Sequence, residues 1–273
     1  MNRRRAPHPL LRPFVREVWS CAAEPMGEAQ ARIERLLPSG FMHLVLRLDE
    51  SPVRLLRSPD DAQGDALANA VLAGARTAPY LKRLHARSAS VGATLLPGAA
   101  QWLFGLDADA IAGRHVPLEA LLGAQARHLR ARLVEAVTVD ARLALFEAWL
   151  LARRPPVPGQ ASALARLLGQ SPSVGAAVRA SGLSHRRFEL QFRQAAGLNP
   201  KAWLRVRRFQ AAVKALAARE APPPAELANT LGYSDQSHFI REFRTMAGLT
   251  PGRFRALAPD EPNHLPLVPP SRG

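Results

Sequence analysis

The chain has 273 residues, 47% of them hydrophobic, and a net charge of +15 from 37 Lys/Arg against 22 Asp/Glu. Length and apolar content fit two globular domains and exclude global disorder, and no apolar run approaches the roughly 20 residues of a membrane helix. A single cysteine, Cys21, excludes an intrachain disulfide and a Cys-based zinc cluster.

In chain order, the basic N-terminus MNRRRAPHPLLRPF lacks the long apolar core of a signal peptide. Cys21 lies in an apolar stretch and reads as a small buried hydrophobe, in keeping with a reducing cytoplasm. Val15–Cys21, Phe41–Leu48, Val71–Ala75 and Ser90–Leu96 are short apolar runs bounded by Pro, Gly, Ser and Asp, and are predicted as strands. Leu37-Pro38-Ser39-Gly40 is predicted as a turn between strands, and Ser58–Asp65 as a polar loop. From Ala99 the period becomes helical, with helices expected at Ala99–Leu106, Pro117–Leu122, Ala124–Glu135 and Asp140–Ala152. This is a small sheet plus helices, an α+β domain over 1–153. Residues 154–160, rich in Pro, are expected to be a short stiff linker. An all-α domain over 161–258 follows, with helices predicted at 160–168, 173–180, 184–195, 200–218, 224–230, 235–246 and 251–257. The Pro-rich stretch 259–273 is expected to be a mobile tail.

The all-α region repeats itself. Gly182 to Pro200 reads GLSHRRFELQFRQAAGLNP, and Gly232 to Pro251 reads GYSDQSHFIREFRTMAGLTP. Each copy holds a Phe pair four residues apart (Phe188/Phe192, Phe239/Phe243) and leaves through Gly-Leu-Asn/Thr-Pro, so one helical unit is used twice. A short helix, a Gly turn and a second helix with its Phe pair inward form a helix-turn-helix, whose second helix enters the DNA major groove. The helix at 200–218 joins the two units. Residues 160–258 carry 15 Lys/Arg against 5 Asp/Glu, a density of positive charge that attracts phosphate backbones.

With the Phe pairs inward, His185, Arg186, Glu189 and Leu190 of the first unit and Gln236, Ser237, Ile240 and Arg241 of the second face outward and are the base-reading candidates. Arg193, Lys201, Arg205, Arg208 and Arg244 are the phosphate candidates. For any one of these residues a solvated helix surface is an equally good reading, but the shared Phe spacing and exit weaken that reading for the pair of units.

Leu231–Phe239, Arg241–Arg244 and Gly248–Pro251 closely resemble the signature of the AraC/XylS family of bacterial transcription regulators, and Gly182–Pro200 resembles the first unit of that family. The resemblance covers residues 165–256. It implies a cytoplasmic, sequence-specific DNA-binding regulator that places helices 184–195 and 235–246 in adjacent major-groove segments. It also implies RNA polymerase as a partner and an N-terminal domain that binds a small-molecule effector or forms a homodimer. The first unit departs from the family at Leu190, where Arg is frequent, and Glu189 adds negative charge. The Leu37–Gly40 and Val91–Ala99 segments are similar to sensor-like domains of such regulators, and Trp19, His43, Tyr80, His85 and Trp102 are candidates to line an effector pocket, although such residues are more often core.

An alternative is a DNA-modifying or repair enzyme carrying the same DNA-binding unit, and another is a helical scaffold. The lone cysteine and the lack of a phosphate-binding Gly loop, HExxH or GxSxG argue against an enzyme. The eight histidines form no helical i, i+4 pair, so neither metal nor cofactor is expected.

Overall fold

The structure is a computed structural model and describes residues 2–22, 32–84, 89–153, 160–259 and 261–267. The strands are β1 (Asn2–Arg5), β2 (Val15–Cys21), β3 (Arg32–Leu36), β4 (Met42–Arg47), β5 (Val53–Leu56), β6 (Asp65–Ala66), β7 (Ala70–Ala73), β8 (Tyr80–Leu84), β9 (Ser90–Leu95), β10 (His115–Pro117) and β11 (His264–Leu267). Two antiparallel sheets result, ordered β1-β2-β9-β4-β7-β10 and β11-β3-β8-β5-β6. They face one another: Tyr80 of β8 meets His115 of β10 edge-on, with ring centroids 4.9 Å apart.

The four apolar runs all form strands, at β2, β4, β7 and β9, and supply the central strands of the six-stranded sheet. The strands that sequence reading passes over carry charge. β1 is Asn-Arg-Arg-Arg, β3 reads RIERL and β8 reads YLKRL. Their charges are placed in pairs: Arg5 bonds Glu147, and Lys82 lies 3.2 Å from Glu34. The stretch expected as a mobile tail is corrected by β11, which pairs along β3 from His264↔Leu36 to Leu267↔Ile33. Leu265 of that strand is fully buried. The expected linker falls almost wholly outside the described residues.

The helices are α1 (Ala99–Phe104), α2 (Leu118–Leu122), α3 (Ala124–Glu135), α4 (Val139–Leu151), α5 (Gln160–Gln170), α6 (Val174–Ser181), α7 (His185–Ala196), α8 (Pro200–Leu216), α9 (Pro224–Thr230), α10 (Gln236–Ala247) and α11 (Pro251–Leu257). They fall within a few residues of expectation, and six of them start at a capping side chain. Thr138, Ser173, Ser184, Asn199, Asp235 and Thr250 each accept a backbone N–H of the following turn.

One hydrophobic core runs from the sheets into the helical region. The Leu37–Gly40 turn does more than join two strands, because it docks on α8. Pro38 accepts from Gln210 Nε2 at 2.7 Å. Gly40 has φ +74°, and a Cβ there would stand 3.2 Å from Val206, so only glycine fits both the backbone and the approach.

Candidate nucleic-acid interface

In the first unit, Gly182 ends α6 with φ +68° and frees the chain to turn into α7. Ser184 Oγ accepts from the N–H of Arg187 at 3.3 Å. Phe188 and Phe192 are fully buried and stack at 6.1 Å, and Phe192 meets Trp203 of α8 edge-on at 5.4 Å. The second unit repeats this. Gly232 has φ +73°, Asp235 accepts from His238 N at 2.7 Å, and Phe239 and Phe243 are fully buried. Phe243 also touches Phe209 of α8 and Phe254 of α11. In both units the aromatic pair anchors the second helix, and its opposite face is left to solvent.

That face carries the base-reading candidates. His185, Arg186, Glu189 and Leu190 are exposed on α7, as are Gln236, Ser237 and Arg241 on α10, while Ile240 is half-buried. Leu190 is 46% exposed, a large apolar side chain with no core to enter. Arg187, exposed in the first turn of α7, joins this face without being among the candidates. The adjacent Arg186-Arg187 pair was the available signal.

The phosphate candidates divide. Lys201 and Arg244 are exposed and have no ion-pair partner among the described residues. Arg205 lies 3.0 Å from Glu242, which is nearly buried on α10. Arg208 donates to the Gly232 carbonyl at 3.0 Å and stands over the Tyr233 ring at 4.8 Å. These two build the second unit from α8. Burial and the nearby Glu242 push the Tyr233 phenol upward, so it stays neutral. Arg193 is paired to Asp109 at 3.1 Å, and its neighbour Gln194 donates to Asp107 at 3.0 Å.

Those last contacts cross between the two halves of the chain. The segment Ala108–Ile111 packs on the C-terminal end of α7, and Gly98 N–H donates to the Ala195 carbonyl at 2.9 Å. On α10, Arg35 of β3 donates to the carbonyls of Ala247 and Gly248 at 3.4 and 3.3 Å, placing a cation at the negative helix end. Both exposed helices are therefore held at their C-terminal ends by the sheet-bearing half, and their N-terminal turns stay open.

The effector-pocket candidates separate. His43 and Tyr80 face the space between the sheets. Trp19 shares that face with Glu17 by strand alternation, and Glu17 accepts from Thr94, the cross-strand partner of His43. Trp102 lies elsewhere, against Phe14, with its indole N–H donating to the Arg153 carbonyl. His85 lies outside the described residues. The same inter-sheet space takes His115, Arg76, Glu34 and Lys82, which sequence reading did not select. Burial, with Arg76 close by, lowers both His43 and His115 to about 4. Burial alone would raise Glu34, but His264 and Lys82 outweigh it and hold the carboxyl at about 2. Among the described residues no cluster of three or more His, Cys, Asp or Glu is arranged to hold a metal, and no helix is long and apolar enough to cross a membrane.

Residues 177–257 match a family described as "Helix-turn-helix domain", and residues 3–117 match one described as "Domain of unknown function (DUF6597)". No curated protein matches the chain. Solved structures similar to it include an apo point variant of ToxT from Vibrio cholerae strain SCE256, at 8% identity and TM-score 0.47 over 93% of this chain and 100% of that one. Others are ToxT from Vibrio cholerae O395, at 9% identity and TM-score 0.45 over 85% and 98%, and unsaturated-fatty-acid-bound ToxT, at 8% and 0.42 over 85% and 96%. The matched helical family is one of DNA-binding domains and not an enzyme family. Residues 177–257 are thus an AraC-type helix-turn-helix domain, and the chain that carries it is a DNA-binding transcription regulator.

Proposed function

We propose that this protein binds a bipartite DNA site, with α7 and α10 in adjacent major-groove segments on one face of the duplex. The observation that carries this is the matched pair of anchors: each helix buries a Phe pair and presents polar side chains on the opposite face. The 17-residue α8 that joins the units spans about 25 Å, so the two reading helices belong to separate units rather than to one compact reader.

In this reading Arg186 and Arg241 take guanine edges, Gln236 takes adenine, Glu189 accepts from cytosine, and Leu190 and Ile240 meet thymine methyls. His185 and Ser237 complete the two reading faces. Lys201 and Arg244 meet phosphates. Residues 1–153 act as a sensor or dimerisation region, whose polar inter-sheet space suits a small-molecule effector, and 161–258 contact DNA and RNA polymerase. The test is hydroxyl-radical footprinting on a fragment selected by genome-wide binding. Two protected segments centred about 10 bp apart on one face are expected. A single protected segment, or protection spread over both faces, overturns the bipartite reading.

A further inference from the structure

A cleft of about 700 Å³ opens between the sheet-bearing half and the DNA-binding half. Its charged residues are all positive: Arg12 and Arg16 from the N-terminal region, Arg166 from α5, and Arg207 and Lys214 from α8. Among the described residues no carboxylate lines it and none of these five cations has an ion-pair partner. At the N-terminus, by contrast, Arg3, Arg4 and Arg5 are each paired, with Asp140, Glu261 and Glu147. Five cations lining one cleft with no carboxylate among them make its field positive and favour an anionic occupant, although each side chain also reaches solvent.

The walls hold the guanidinium groups in place. Arg16 lies over the Phe41 ring at 5.0 Å and Arg207 over the Trp203 ring at 4.8 Å. Gly169 of α5 leaves the space that the Arg207 guanidinium fills, since a Cβ at that position would collide with it. Arg207 is held below its ordinary value by burial and by Arg16 facing it across the domain boundary. Trp203, one wall of the cleft, keeps its indole N–H buried with no acceptor among the described residues.

The cleft is also set apart from the reading face. On α8, Lys201, Arg205 and Arg208 lie on one side, with Arg205 and Arg208 engaged with the second unit. At 100° per residue, Trp203, Arg207, Gln210 and Lys214 lie roughly half a turn around the helix. The cleft cations are therefore not an extension of the phosphate contacts proposed above.

We propose that this cleft binds a small organic polyanion, one with at least two phosphate or carboxylate groups, clamped by Arg12 and Arg16 from one half and Arg166, Arg207 and Lys214 from the other. Guanidinium forks match such groups bidentately, and the volume suits a metabolite-sized ligand. An occupant would tie the two halves together.

The test titrates the full chain into 1,3,6,8-pyrenetetrasulfonate and follows fluorescence anisotropy, with citrate and ATP as competitors. Saturable one-to-one binding is expected. Arg16→Glu and Arg207→Glu should each weaken it at least about tenfold. Gly169→Ala, which displaces the Arg207 guanidinium without altering charge, should weaken it severalfold, with the folded state checked by thermal melting. Arg186→Ala and Arg241→Ala should leave it unchanged. Absence of saturable binding overturns the proposal. So does loss of binding in the Arg186 or Arg241 variants, or displacement of the probe by nonspecific duplex DNA, which would assign the cleft to the DNA track. Because the readout requires no DNA binding, the cleft and the bipartite site can fail separately.

Discussion

Arg205 and Arg241 carry the same charged group in the second unit, yet one is committed to the protein and the other is open. Arg241, on the exposed face of α10, has no ion-pair partner among the described residues, and Arg241→Ala is expected to cost about 1–3 kcal/mol of sequence-specific binding while leaving nonspecific binding nearly intact. Anisotropy titrations with the selected site and a scrambled duplex measure both, and equal losses would make Arg241 a phosphate contact. Arg205 pairs with Oε2 of the nearly buried Glu242 carboxylate, with His238 4.0 Å from the same oxygen. Arg205→Ala should therefore cost about 1–2 kcal/mol of stability, seen in the urea midpoint. Helical periodicity showed that Arg205 reaches the surface. Its partner lies 37 positions away, and no local pattern connects them. His43 behaves oppositely to a surface group. Burial holds it at about 4, below its ordinary 6.5. Between those values the unfolded chain binds a proton that the folded chain refuses, so stability falls as pH drops from 6.5 toward 4, by at most about 1.4 kcal/mol per pH unit. His43→Leu should flatten that part of the profile of melting temperature against pH. An unchanged slope would place the acid sensitivity in other groups.

Among the elements, legibility followed capping and burial. The helices of the DNA-binding half were readable because Ser184, Asn199, Asp235 and Thr250 announce starts and Gly182, Gly197, Gly232 and Gly248 announce stops. The β-strands of the other half were readable only in the six-stranded sheet, where both faces of β7 are buried and its sequence is a plain apolar run. β3 and β8 place Glu34 opposite Lys82 in register; either strand alone looks like charged loop. The surroundings of Trp102 are illegible for a related reason, since a Trp in an apolar helix does not disclose which neighbour its N–H will meet. The caps yield a prediction. Asp235→Ala removes the acceptor for His238 N–H and should cost about 1 kcal/mol, lowering affinity for the second half-site more than for the first. Half-site duplexes measured by anisotropy separate the two effects. Equal loss at both would show that α10 does not act as a separate reader.

For the whole molecule, what matters is how the sheet-bearing half holds the reading helices. Asp109 neutralises Arg193 and Asp107 takes the Gln194 amide at the end of α7. Asp109→Asn should free Arg193 for a phosphate, strengthen DNA binding and steepen the slope of log K against log salt by about 0.9. An unchanged slope would show that Arg193 cannot reach the backbone. None of these contacts between halves was visible in the sequence, because each joins residues some 90 to more than 200 positions apart.

β11 has a further consequence, for synthesis. Its partner β3 ends at Leu36 and β11 begins at His264. A ribosome adding about 5–20 residues per second needs roughly 10–45 s to cover that interval. Throughout it the outer edge of β3 has no strand beside it, and an open edge invites pairing with another chain. The DNA-binding half emerges and folds within the same window. Nascent chains of this protein are thus exposed for a long interval at an edge that the finished molecule covers with β11.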